Sequence, residues 1–232
     1  MEKNMNRREF VKASAAATGA VLMAGNISLA FGEELKPIQL VKPEMGSGNS
    51  FMQLLWKRKS LRQFSTEPLP LEILSNLLWA AFGINRPDGK RTAPSANNKQ
   101  EIDIYVASAK GLYLYDAKGN ILNPILPDDI REMTGIPAQA YVKDAAVNLV
   151  YVADYSKMKG YYYGTVRDEV KDLYAAADTG LIGANVYLYC ASEGLSTVMR
   201  AEIDRPALAS LMKLRSDQKI ILAQSVGFPK KT

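Results

Sequence analysis

An α+β domain is the fold the sequence predicts, and three observations carry it. The segment "AAVNLVYVADY", residues 145–155, is a continuous, β-branched and aromatic run of the kind buried at the centre of a sheet. The segment "TVRDEVKDLYAAADTGLIGANVYLYCASEG", residues 165–194, opens on a capping residue and acids and closes on glycine. That is the pattern of one helix of about seven to eight turns at 3.6 residues each. Strand-like and helix-like segments surround these two in an α+β order. A chain of 232 residues with 47% apolar side chains can bury a full core, so one domain with appendages suffices.

The elements follow in order. Residues 1–30 contain "NRREFVKASAAATGAVLMAGNISLA", in which Arg7 and Arg8 precede a mild Ala/Gly-rich apolar run, and Ser28 and Ala30 permit cleavage after Ala30. This resembles a twin-arginine export signal. Residues 31–50 hold two prolines and a Gly-Ser-Gly turn and read as an extended arm. The domain proper is expected over residues 51–232. Ser50 or Asn49 can cap a helix with Phe51, Leu54 and Leu55 on its apolar face. After Pro68 and Pro70, "LEILSNLLWAAFG" sets Leu71, Leu74, Leu78 and Phe82 on one helical face, with Gly83 as a left-handed stop. Residues 83–100 are a polar loop, and "EIDIYVASAKGLYLYDAKGNIL" predicts a strand and a hairpin. A short helix over residues 128–134, a strand over 196–199, a helix over 205–214 and a final strand "KIILAQSVGF" complete the order. The long helix is small in its middle, at Ala175, Ala176, Ala177, Gly180, Gly183 and Ala184. That density suits close packing, either within the core or against a second copy of the chain.

Composition excludes several chemistries. The chain has no histidine, which removes His-based dyads and triads and the commonest kind of zinc site. The single cysteine, Cys190, lies in an apolar helical pattern with no base in view, as a buried structural thiol would. The net charge of +5, or +3 without residues 1–30, is too small a bias for nucleic acid, and no nucleic-acid motif is present.

Two short motifs carry chemistry. In "RKSLRQF" the residues Arg58, Ser60 and Arg62 alternate, so an extended chain places all three on one face and Lys59, Leu61 and Gln63 on the other. Two planar guanidinium groups around a hydroxyl make an anion cradle. With neither GxGxxG nor GxxxxGK[ST] in the chain, a phosphate would need such side-chain donors. In "APSANNKQ", Ser95, Asn98 and Gln100 can donate and accept hydrogen bonds along the edge of a heterocycle; alone, the stretch is equally a polar Asx-type turn.

Taken together, RxSxRxF, two prolines, a helix, PSAxNxQ before a strand and a long small-residue helix ending in "EGL" resemble the nitroreductase family of FMN-dependent oxidoreductases. The resemblance spans about residues 50–229. It implies a mainly antiparallel central sheet flanked by helices, with the long helix at a homodimer interface. It also implies FMN as cofactor, with Arg58, Ser60 and Arg62 at its phosphate and Ser95, Ala96 and Asn98 along the ribityl chain and ring. "STVMRAEID" falls where the family presents backbone N–H groups to the flavin, making Met199, Arg200 and Ala201 candidates. The family often has Pro-Trp after its Gln, where this chain has Glu101 and Ile102, and often a further basic residue after the last strand, for which Lys230 and Lys231 stand here. Lys230 is the candidate third phosphate ligand.

The implied activity is hydride exchange through the flavin between an electron donor and a small organic acceptor, in a ping-pong cycle. No side-chain acid or base is obligatory for it, and the Tyr161–Tyr162–Tyr163 cluster is a candidate substrate wall. The hairpin "GLYLYDAKGNIL" and the stretch over residues 129–154 look like the SagB-type dehydrogenase branch, which would act on peptides with partner proteins. A third expectation is a flavin- or ligand-binding protein of the same fold without turnover. Export by the twin-arginine machinery, with periplasmic residence, places the protein where free NAD(P)H is scarce, so its reductant is unspecified.

Overall fold

All eight residues of the strand Val147–Asp154 are buried, because helices cover both faces of the sheet to which it belongs. The computed structural model describes residues 35–42, 50–160 and 167–231. Its sheet contains β1 (Ile38–Gln39), β2 (Ile102–Ser108), β3 (Gly111–Asp116), β4 (Ile121–Leu126), β5 (Val147–Asp154), β6 (Ser196–Arg200) and β7 (Gln218–Gly227). The order is β1-β4-β3-β2-β5-β7-β6, and every pairing is antiparallel.

Alternation along the central strands divides the core in two. Ile104, Val106, Leu149 and Tyr151 pack with Leu77, Leu78 and Phe82 of helix α2 (Leu71–Phe82) and with Ile182 and Val186 of helix α3 (Asp168–Glu193). Tyr105, Ala107, Val150 and Val152 point the other way, onto Leu208 of helix α4 (Arg205–Leu211) and Met212. A strand buried on both faces shows no polar alternation, which is why β5 reads as a mostly apolar run, with Asn148 its one polar residue before Asp154, even though its neighbours are antiparallel.

Several local expectations are corrected. Helix α1 (Phe51–Lys57) has the capping box at Ser50 and Gln53, yet it buries none of its residues, and Trp56 is 91% exposed. Gly83 ends α2 with extended backbone (φ −71°, ψ 161°), not in the left-handed region. Glycine is needed there for space, since a Cβ would lie 2.4 Å from the Trp79 ring. Leu71 is exposed, and the buried face of α2 is Leu77, Leu78, Ala81 and Phe82 with Ser75. The expected helix over 128–134 is only the 3₁₀ turn Glu132–Thr134. The last helix is shorter than expected and closes at Leu211. Helix α3 starts at Asp168 with Arg167 at its N-cap and no side-chain cap, and it ends on Gly194 at φ 68°, the left-handed stop its sequence demands. The expected cap Thr165 and the tyrosines 161–163 lie outside the described residues, as do the leader and most of the arm. The described part of the arm supplies β1, which pairs with β4.

Candidate functional site

Both motifs singled out in the sequence attach to the same helix, α3, at different heights. Tyr187 anchors the first. Its hydroxyl lies 2.9 Å from the Ser60 hydroxyl and accepts the backbone N–H of Met199 at 3.0 Å. The Arg58 guanidinium stands 5.4 Å from the centre of the Tyr187 ring, in cation–π range. A further bond, from the Leu61 N–H to the Thr197 carbonyl at 2.9 Å, stitches this segment to β6. One phenol thus ties together three elements that are far apart in sequence.

The chain end joins the same corner. Phe64 bridges Pro229, the Ser65 N–H donates to the Phe228 carbonyl, and the Lys230 N–H reaches the Gln63 carbonyl at 3.4 Å. Lys230 is thereby carried to the segment holding Arg58, Ser60 and Arg62, and all four side chains are exposed. A cavity of about 510 Å³ adjoins this corner, but it opens on the other side of the segment: Lys59 and Leu61 line it with Tyr187, Cys190 and Thr197, while Arg58, Ser60 and Arg62 do not. Lys59 and Leu61 thus differ from Arg58, Ser60 and Arg62 in facing the cavity, whereas Gln63, expected beside them, does not line it. Burial pushes the Cys190 thiol well above its ordinary range, which keeps it an unreactive packing group.

The candidates on β6 divide. The Met199 side chain seats on α3 where Gly183 has no side chain, and a Cβ at Gly183 would collide with the Met199 methyl. Ala201 is exposed just past the strand. The Arg200 side chain is only 4% exposed and points to the opposite face of the sheet. Its guanidinium donates to the Thr134 carbonyl and hydroxyl, to Asn148 Oδ1 at 3.1 Å and to Ser225 Oγ at 3.2 Å. Only the backbone of Arg200 is available to a ligand. Burial lowers its pKa to about 10, so it stays charged among neutral acceptors.

The second motif is held lower on α3. The Asp178 carboxylate accepts the Ala96 N–H at 2.8 Å. Ser95 Oγ accepts the Gln100 N–H at 2.9 Å, and Asn98 Oδ1 accepts from the Gln100 side chain at 3.1 Å. Asn97, Asn98 and Gln100 take positive φ values near 50°, so the loop 95–100 is wound tightly and its amide-rich composition serves that winding. Directly after it, Glu101 is fully buried with neither carboxyl oxygen hydrogen-bonded. Burial, and then the adjacent Asp178, push its pKa up to about 7. Sequence reasoning missed Tyr187, Asp178 and Glu101. Tyr187 and Asp178 are lost in the long helical pattern; an acid at the mouth of an apolar strand was a visible signal for Glu101.

Comparison with known proteins fits this arrangement. The nitroreductase family model matches residues 55–228. The chain belongs to the nitroreductase family. A Methanocaldococcus jannaschii protein provisionally named a nitroreductase is 27% identical over 170 residues, covering 70% of this chain and 83% of that one. A crystal structure of a protein of similar provisional name from Ralstonia eutropha JMP134 superposes with TM-score 0.77 at 41% identity, over 84% of this chain and 90% of that chain. The NADPH:FMN oxidoreductase of Vibrio harveyi, solved with NAD+, shares the fold at TM-score 0.57 and 20% identity, over 78% and 69% of the two chains. The antiparallel seven-stranded sheet flanked by helices is the nitroreductase fold, and the family is one of oxidoreductases.

Proposed function

We propose that this nitroreductase-family protein is an exported, homodimeric, FMN-dependent oxidoreductase. The observation that carries the cofactor reading is the Tyr187 corner. It brings Arg58 and the Ser60 hydroxyl together on an exposed rim, on a segment that also carries Arg62 and is joined by the backbone of Lys230, which suits a phosphate dianion. Nine residues separate Asp178 from Tyr187, about 13 Å along the helix axis. The two anchors are also half a turn apart around that axis, so they hold the two motifs on opposite flanks of α3.

Arg58, Ser60, Arg62 and Lys230 would hold the phosphate of FMN. Ser95, Ala96 and Asn98 would meet the ribityl chain and ring, and the backbone of Met199 to Ala201 would donate along the ring edge. When bound, the flavin supplies hydride exchange between donor and acceptor in alternating half-reactions. The chain's own share is positioning: Tyr187 fixes Ser60 relative to β6, and Asp178 fixes loop 95–100 relative to α3.

The homodimer reading is supported by α3. Leu173, Ala176, Ala177, Gly180, Leu181 and Ala184 are all exposed and recur every three or four residues, an apolar stripe along one helical face. The twin-arginine pattern at Arg7 and Arg8 supports export and a periplasmic location, where free NAD(P)H is scarce and the electron donor is left unspecified. The hairpin β3–β4, formed by "GLYLYDAKGNIL", favours a SagB-type dehydrogenase as the alternative activity. Cofactor and turnover are tested together on protein purified without added flavin. An oxidised-flavin spectrum, FMN by mass spectrometry and bleaching by a reductant are expected. A colourless protein that FMN cannot reconstitute ends the flavin reading, and bound flavin that no donor reduces leaves only a binding protein.

A further inference from the structure

Glu101 is the anomaly of the described residues: a fully buried carboxyl with no hydrogen-bond partner for either oxygen. An ionised carboxylate in such a place costs several kcal/mol, so a group of this kind takes up a proton or a partner. The groups facing it are few. Asp178 approaches from α3, while Lys157 and Tyr155 approach from the 3₁₀ turn after β5. Lys157 is committed to Asp103 at 2.6 Å, and the Tyr155 hydroxyl to Asp172. The remaining neighbour is the acid that also anchors loop 95–100 through the Ala96 N–H.

We propose that Glu101 holds a proton against the Asp178 carboxylate, and that this carboxyl pair is the latch fastening loop 95–100 to α3. A neutral Glu101 donates toward Asp178 and leaves Asp178 free to accept the Ala96 N–H. Loss of that one proton sets two buried anions side by side at the root of the loop, and the cheapest relief is for the loop to lift and admit water. Glu101 and Asp178 are positioning residues: they act on a ligand only through the loop. That the loop then loosens its hold on FMN is a corollary that rests on the flavin reading; the latch does not.

The pH window follows from the sign of the shift. Folding raises the Glu101 pKa from 4.5 to about 7, so the folded chain binds more protons between those values. The latch is closed below about 7 and is lost as pH rises through it. The test is hydrogen exchange followed by mass spectrometry on peptides spanning residues 95–101, at pH 6 and pH 8.5 and corrected for intrinsic rates, with FMN titrations alongside. Wild type should lose loop protection about tenfold or more at the higher pH, and Glu101→Gln should keep it at both. Asp178→Asn, which retains an acceptor for Ala96 without the charge, should also keep its protection at pH 8.5. Loop protection in wild type that ignores pH overturns the latch, as does a wild-type pH response in either variant. If the expected pattern is found in protein that never binds FMN, the latch stands and the flavin reading falls; if FMN binds but the loop ignores pH, the reverse holds.

Discussion

Arg58 and Arg62 on one side and Arg200 on the other put the same side chain to opposite uses. The first two stand exposed on either side of Ser60 in the chain, and the Arg58 guanidinium lies 5.4 Å from the Tyr187 ring whose hydroxyl meets Ser60. Arg200 is buried and spends its donors on Thr134, Asn148 and Ser225, which lie on three different elements. An arginine that looks available in sequence is available only if the fold leaves its donors unmade. Exposure suits Arg58 to the phosphate contact proposed for it, and burial gives Arg200 a role in cohesion.

That contrast breaks most visibly at Arg200. Arg200→Ala strands several buried acceptors, each worth about 1 to 3 kcal/mol, and should lower the denaturant midpoint sharply or prevent folding. Arg58→Ala should do the converse: leave the unfolding midpoint unchanged while FMN binding, followed by fluorescence quenching, weakens about tenfold to a hundredfold. Equal losses of stability in the two variants would erase the distinction. Tyr187→Phe lies between them. It removes the hydroxyl shared by Ser60 and Met199, so about 1 kcal/mol of stability and a few-fold of FMN affinity should go together. Smallest is Lys59→Ala on the other face of the segment, which should shift FMN affinity less than twofold in the same titration.

The elements legible in sequence were those whose signal is local. A β-branched run became β5, and the helix 165–194 was right to within three residues at its start. The alternation of Arg58, Ser60 and Arg62 against Lys59 and Leu61 was equally legible, because period two is a property of the chain itself. What stayed hidden depends on distant partners. Nothing near Arg200 announces Thr134 or Asn148, and nothing near Gly83 says that a Trp79 ring, rather than a left-handed turn, requires glycine. The apolar face of α1 was legible, yet in the described structure Phe51 and Leu55 are exposed and Leu54 is only half-buried. Hydrophobic periodicity reports that a face wants covering, not what covers it. Asp178 and Tyr187 each look like ordinary residues of a long helix until loop 95–100 and β6 are laid against them.

Strand order also carries a consequence for how the molecule is made. β7 lies between β5 and β6, so β6 has no sheet partner until the last strand has been synthesised. The residues that complete the rim, 228–230, follow directly after it and close back on residues 63–65. Such non-local closure comes late in folding and leaves an unpaired strand edge exposed meanwhile. During synthesis on the ribosome, the corner around Ser60 therefore forms only after residues 228–230 have emerged, and a cofactor recognised there would be acquired after that point.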